Sequence, residues 1–128
     1  MSVPADLKFL NTHEWHRVSG NTVTLGISRY AVDELTDVTY VSLRKVGTKV
    51  TRGDTIGEIE SVKATSDLYT GVSGTITAVN DAVTKDPALL NRDPFDAGWL
   101  VKIEISDPAE LGDLIAASEY EQTFPSGK

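Results

Sequence analysis

With 128 residues, 40% hydrophobic and 24% charged, the chain has the size and balance of one globular domain with a modest core. Its 12 Lys+Arg against 19 Asp+Glu leave a formal charge of −7, which repels phosphate backbones and argues against a nucleic-acid partner. Zero cysteines exclude disulfides, thiolate zinc sites and cysteine nucleophiles together.

The opening "MSVPADLKFL" has neither a basic n-region nor a long apolar stretch, so no signal or transit peptide is read and a cytoplasmic location is expected. No segment reaches the roughly 18 apolar residues of a membrane span. "HEWHRV", "GN" and "TVTLGI" read as two strands around a Gly-Asn turn, with Trp15, Val18, Val23, Leu25 and Ile27 facing the core. "SRYAVDEL" predicts a short helix capped by Ser28, with Ala31, Val32 and Leu35 at helical spacing. "VTYVSL" returns to strand, with Val38, Tyr40 and Ser42 on one face and Thr39, Val41 and Leu43 on the other.

Glycines 47, 53, 57, 71 and 74 then punctuate short strands, a spacing that suits a small barrel or sandwich. "VGTKVTRGDTIGEIE" and "TGVSGTITAVNDAV" echo one another on either side of Lys63, so two halves are expected to fold back with that lysine at the tip. "DPALLN" and "DPFDAG" are proline-led turns or single helical turns, and "WLVKIEI" is a strand. "DPAELGDLIAASEYEQTF" reads as a helix with Asp107 as N-cap, Pro108 at its first position and Gly112 weakening or dividing it. One domain over 1–128 is expected, with a poorly ordered tail at about 125–128.

Few segments offer chemistry. His13 and His16 in "HEWH" lie three apart in a strand and point to opposite faces, so no metal site is expected. "RGD" at 52 to 54 is explained by a turn, and no glycine pattern matches a phosphate loop. No Gly-x-Ser-x-Gly elbow accompanies the serines, and no catalytic centre is read. Lys63 is left. An exposed lysine is ordinarily solvating charge, protonated near pKa 10.4, but a primary amine on a long stem at a hairpin tip is also a suitable covalent attachment point. Group carriers bearing lipoamide or biotin use that arrangement.

"ESVKATSD" (60 to 67) closely resembles the lipoylation motif of the glycine cleavage system H-protein family. "THEW" (12 to 15), "VTLGIS" (23 to 28), "YA" (30 to 31), "VSGTITAVN" (72 to 80), P-x-L-x-N-x-x-P (87 to 94) and "GWLVKIE" (98 to 104) follow in the family's order and spacing, from about residue 7 to 120. The resemblance implies a mainly β, hammerhead or barrel-sandwich lipoyl-type fold with a short internal helix and a C-terminal helix. It implies lipoic acid amidated on Lys63, with Glu60, Ser61, Val62, Ala64 and Asp67 as the motif around it. Such a carrier catalyses nothing itself. It accepts an aminomethyl group from pyridoxal phosphate-dependent glycine decarboxylase, delivers it to a tetrahydrofolate-dependent aminomethyltransferase and is reoxidised by dihydrolipoyl dehydrogenase. A lipoate-attaching enzyme is a fourth partner, and a bacterial, cytoplasmic monomer is expected.

The resemblance further implies a cleft that shelters the loaded arm, at Thr12, Glu14, Glu34 and Asp67. A carboxylate is chemically apt there, since a protonated amine withdrawn from water needs a partner. Three departures stand out: Gly71 and Arg44 where the family usually carries proline, and Thr36 where it usually carries glycine. Gly71 and Arg44 are expected to loosen their segments by removing a φ restraint. Other readings are a lipoyl donor to other proteins, a biotin carrier and an unmodified scaffold. Biotin domains usually place methionine beside the lysine, whereas Val62 and Ala64 flank this one.

Overall fold

The computed structural model describes residues 6–124, and the expectation of a poorly ordered tail at 125–128 falls outside the described residues. The chain opens with β1 (Lys8–Phe9), β2 (Glu14–Ser19) and β3 (Thr22–Ile27), the last alternating Thr22 and Thr24 with buried Val23 and Leu25. Helix α1 (Arg29–Leu35) and strands β4 (Val38–Leu43), β5 (Lys49–Val50), β6 (Thr55–Ser61), β7 (Thr65–Tyr69) and β8 (Gly74–Val79) follow. Two short helices, α2 (Asp81–Lys85) and α3 (Leu89–Arg92), lead to β9 (Val101–Ile105). A 3-10 helix (Pro108–Asp113), β10 (Ile115–Ala116) and α4 (Ala117–Thr123) complete the described chain.

The strands pair antiparallel in two sheets, a seven-stranded one in the order β10-β1-β2-β3-β9-β8-β5 and a three-stranded one in the order β4-β6-β7. The mainly β fold with an internal and a C-terminal helix is the one expected. The main core joins the inner residues of both sheets, among them Val23, Leu25, Ile59, Leu68, Ile76 and Ile103. A second cluster gathers Leu7, Phe9, Trp15, Ala117 and Tyr120 under α4.

Hairpin β2–β3 turns at Gly20-Asn21 as expected, with Val18 opposite Val23. Trp15 is fully buried, and an added Cβ at its partner Gly26 would come within 2.2 Å of the indole, so only glycine fits there. Val18 is not a core residue. It sits three positions from Trp15, hence on the other face, and is exposed near the turn. The strict alternation expected along β4 also fails. A bulge between Val38 and Tyr40 puts Val38 and Val41 in the core and leaves Tyr40 49% exposed.

The chain folds back about Lys63 in two nested pairs. Strand β6 pairs with β7, and outside them β5 pairs with β8. The glycine-marked echo therefore corresponds to two antiparallel arms around one tip. The helix expected from Asp107 is divided near Gly112, as that glycine suggested. Asp107 does cap a first turn through Ala109 N–H at 3.1 Å, but that turn is 3-10 and ends near Gly112. Glu110, three residues after that cap, turns away from it; its carboxylate accepts the Ser73 N–H at 2.7 Å and hydroxyl at 2.8 Å. Ile115 and Ala116 then extend the large sheet against β1, and the α-helix begins only at Ala117. Helix α2, with the Asn80 side chain accepting from Ala82 N–H, was not anticipated.

Candidate functional site

Ser61 builds the tip that carries Lys63. Its N–H donates to Ala64 O at 2.8 Å, and its hydroxyl oxygen accepts the Lys63 and Ala64 N–H groups, each at 3.1 Å. Val62 N–H donates to Asp37 O at 3.1 Å, tying the tip to the segment between α1 and β4. The turn's backbone is thus satisfied locally while Val62, Lys63 and Ala64 stay exposed. Lys63 Nζ donates to the carbonyl of Glu34 at 3.1 Å, in the last turn of α1, where the helix dipole favours a cation.

Beside that contact lies a cleft of about 160 Å³. Ile27, Ala31 and Leu35 make its apolar side, Thr12, His13 and Glu14 its floor, and Glu34, Ser66 and Asp67 its remaining walls. The four residues expected around a sheltered arm, Thr12, Glu14, Glu34 and Asp67, all line it. Glu14 is buried; Thr12, Glu34 and Asp67 are exposed. A larger depression of about 470 Å³ adjoins on the far side of Thr12, lined by residues that include Leu10, Arg52, Tyr69 and Asp113. The smaller cleft is the candidate, because it contains Glu34, the residue Lys63 contacts. Arg52 is paired with Asp113, and Asp54 accepts the Thr51 N–H at 2.8 Å, so "RGD" is a turn with its charges engaged.

Burial raises the Glu14 carboxyl to about 7, against the hydrogen bonds it accepts from the Thr12 hydroxyl and from Tyr69 N–H at 2.8 Å. Two residues on, His16 is fully buried and accepts Gly71 N–H at Nε2 at 3.0 Å, and burial lowers it to about 4. Alternate side chains of β2 thus take up two N–H groups, that of Tyr69 in the smaller sheet and that of Gly71 in the segment leaving it. His13 turns instead toward α4, its Nδ1 2.7 Å from Tyr120 Oη. Burial lowers its pKa, opposed by the negative charge of Glu34.

The family model described as glycine cleavage H-protein matches residues 7–126. A glycine cleavage system H protein of Gloeobacter violaceus is 47% identical over 123 residues, covering 95% of each chain. A probable glycine cleavage system H protein of Haloarcula marismortui is 49% identical over 118 residues, covering 92% of this chain and 93% of that one. The crystal structure of a glycine cleavage system H protein from Mycobacterium marinum superposes with a TM-score of 0.87 at 37% identity, over 94% of this chain and 98% of that one.

The chain belongs to the glycine cleavage H-protein family.

Members of this family are lipoyl-bearing carriers of glycine cleavage. In this H-protein family member, two of the noted departures do not loosen the chain. Gly71 is buried and its N–H is held by His16, a bond proline could not make. Arg44 N–H donates to Ile56 O at 2.9 Å, and its guanidinium reaches Thr55 Oγ1 at 3.3 Å. Thr36 closes α1 at φ 63°, ψ −134°, a region that suits glycine, so the substituted threonine carries strain. Sequence reasoning passed over His13 and Ser66 as wall residues, and took Ile27, Ala31 and Leu35 only as core. The i, i+3, i+4 spacing of Ala31, Glu34 and Leu35 was the available signal that one face of α1 meets the cleft. No helix among the described residues is long and apolar enough to cross a membrane.

Proposed function

We propose that Lys63 is the lipoyl attachment point of a glycine cleavage carrier, and that residues 1–128 work as one carrier domain. The observation that carries this is the exposed Lys63 amine on an ordered tip, in contact with the rim of a cleft whose floor holds a buried carboxylate. The residues fit the group: Nζ is accessible for amidation, and an attached acyl chain finds Ile27, Ala31 and Leu35 next to it. When bound, lipoate supplies a dithiol–disulfide couple that carries a one-carbon amine unit from glycine decarboxylase to aminomethyltransferase and is restored by dihydrolipoyl dehydrogenase.

The chain's own residues bind and shelter. Ser61 fixes the turn, so a lipoate-attaching enzyme meets Val62, Lys63 and Ala64 in one conformation, with Glu60 and Asp67 on the arms behind them. Amidation removes the Lys63 charge and with it the preference for the Glu34 carbonyl, which releases the stem. Glu14, held by Thr12 and Tyr69, supplies a carboxylate for a cationic amine and ionises fully when one arrives. Glu34 and Asp67 add negative charge at the exposed walls, and the three apolar residues keep water from the cargo. The carrier is a cytoplasmic monomer.

Incubation with lipoate and a lipoate-attaching enzyme, followed by peptide mass spectrometry, tests the assignment. The lipoyl increment is expected on the peptide containing Lys63 and absent from Lys8, Lys45, Lys49, Lys85 and Lys102. An unmodified Lys63 peptide under conditions that modify a control carrier would overturn it.

A further inference from the structure

We infer that His13 is a second arm-binding residue, offering the cleft a ring Nε2–H donor for a carbonyl or sulfur acceptor of the arm, and that α4 sets it in that state. The inference rests on the carrier reading of Lys63.

His13 is held in an unfavourable backbone conformation. Its φ is 87°, left-handed for a residue with a Cβ, and it persists because its N–H donates to Leu10 O at 3.0 Å and its carbonyl accepts from Ser28 N at 2.9 Å. The ring is clamped by Tyr30, with centroids 5.0 Å apart, and by the edge of Phe124 at 4.7 Å. Phe124 follows α4 directly, and Tyr120 lies within it. His13 lines the cleft beside Glu14, and its ring lies near enough to Glu34, another lining residue, to feel that carboxylate's charge.

Hydrogen counting fixes the tautomer. Ser28 Oγ accepts the Ala31 N–H at 3.2 Å and lies 2.7 Å from Tyr120 Oη, which lies 2.7 Å from His13 Nδ1. Ser28 is fully buried, so its own hydrogen has one acceptor within reach, the phenol oxygen. The phenol, kept neutral by a pKa pushed up to about 12, then spends its single hydrogen on Nδ1. Nδ1 is therefore an acceptor, and a neutral ring carries its proton on Nε2. The reverse polarity would strand the Ser28 hydroxyl hydrogen in the core. Among the described residues, no other group hydrogen-bonds the His13 ring.

The donor complements its neighbour. An ionised Glu14 can only accept, which suits an amine, whereas a lipoyl chain also brings an amide carbonyl and sulfurs that need a donor once water is excluded. His16 provides the internal contrast. Its Nε2 accepts Gly71 N–H, so its proton is on Nδ1, the opposite tautomer, away from the cleft walls.

Two-bond ¹H–¹⁵N correlation spectra of the full-length protein labelled at histidine nitrogen test this, before and after lipoylation. The expected result is an Nε2–H pattern for His13 and an Nδ1–H pattern for His16, with lipoylation shifting the His13 resonances and leaving His16 in place. Tyr120→Phe, which keeps the ring packing and removes the phenol, should abolish the His13 preference while His16 is unchanged. An Nδ1–H pattern at His13 in the unmodified protein, or identical His13 signals in protein whose lipoyl mass is verified, would overturn the inference and leave the carrier reading standing. A protein that takes up no lipoate would overturn the carrier reading and the arm contact with it.

Discussion

The hairpin tip and the cleft floor solve opposite problems. At the tip, Ser61 satisfies the turn's backbone within four residues, and the functional amine is left in solvent. Glu14 at the floor and His16 behind it are withdrawn from water, and each meets a backbone N–H, that of Tyr69 in β7 and that of Gly71 in the segment after it. Buried polar groups of that kind are stabilising only while their partners remain, because an orphaned one carries the full desolvation cost. The attachment point thus tolerates chemical change, and the receiving site is rigid before anything arrives. Stability should accordingly be far more sensitive to substitutions at and behind the floor than at the tip.

The largest loss is expected from His16→Ala, which opens a cavity and leaves Gly71 N–H unsatisfied. Denaturant unfolding should show a loss of about 3 kcal/mol. Next comes pH. Glu14 holds its proton more tightly folded, at about 7, than its ordinary 4.5, so its contribution is present below about pH 4.5 and is lost as pH rises toward 7. His16 runs the other way: its pKa falls from 6.5 to about 4 on folding, so its contribution is present above pH 6.5 and is lost as pH falls through that window. The two slopes oppose one another between about 4.5 and 6.5. Glu14→Gln removes one of them. Relative to the parent it should be near neutral at pH 4.5 and gain about 2–3 kcal/mol by pH 6.5, read from unfolding at both values. Equal pH dependence in parent and variant would remove Glu14 as a titrating floor residue.

Between the two regions, Thr36→Gly relieves the positive φ at the end of α1 and should raise stability by about 1 kcal/mol, visible as a higher unfolding midpoint. At the tip, Ser61→Ala should cost about 0.5–1 kcal/mol, since the two N–H groups it frees are reached by water. Lys63→Arg should change stability by less than about 0.5 kcal/mol while abolishing lipoyl uptake. A tip variant that cost as much as His16→Ala would erase the contrast.

Local patterns were legible in the sequence. The Gly20-Asn21 hairpin, the Ser28 cap and the glycine-marked arms around Lys63 each follow from residues within a few positions of one another. Val18 and the β4 bulge were not, because each is decided by what the rest of the fold does or does not place against it, whereas Gly112 marked the break in the C-terminal helix but not the strand that follows. Glu110 could have capped its own helix, yet Ser73 from across the molecule takes its carboxylate. The cleft divides in the same way. Thr12, Glu14, Glu34 and Asp67 entered by family resemblance alone, and residue spacing held no sign that Glu14 is buried. His13 was weighed only as a metal ligand, since nothing near it in sequence announces Tyr120 or Phe124, more than a hundred residues away.

The central claim, that a cofactor on Lys63 makes this chain a carrier of glycine cleavage, is met most directly by reconstituting glycine breakdown with purified glycine decarboxylase, aminomethyltransferase and dihydrolipoyl dehydrogenase. Protein first treated with the lipoate-attaching enzyme should support sustained release of ammonia from glycine, and Lys63→Arg treated identically should support none. Equal ammonia release by the two proteins would contradict the account.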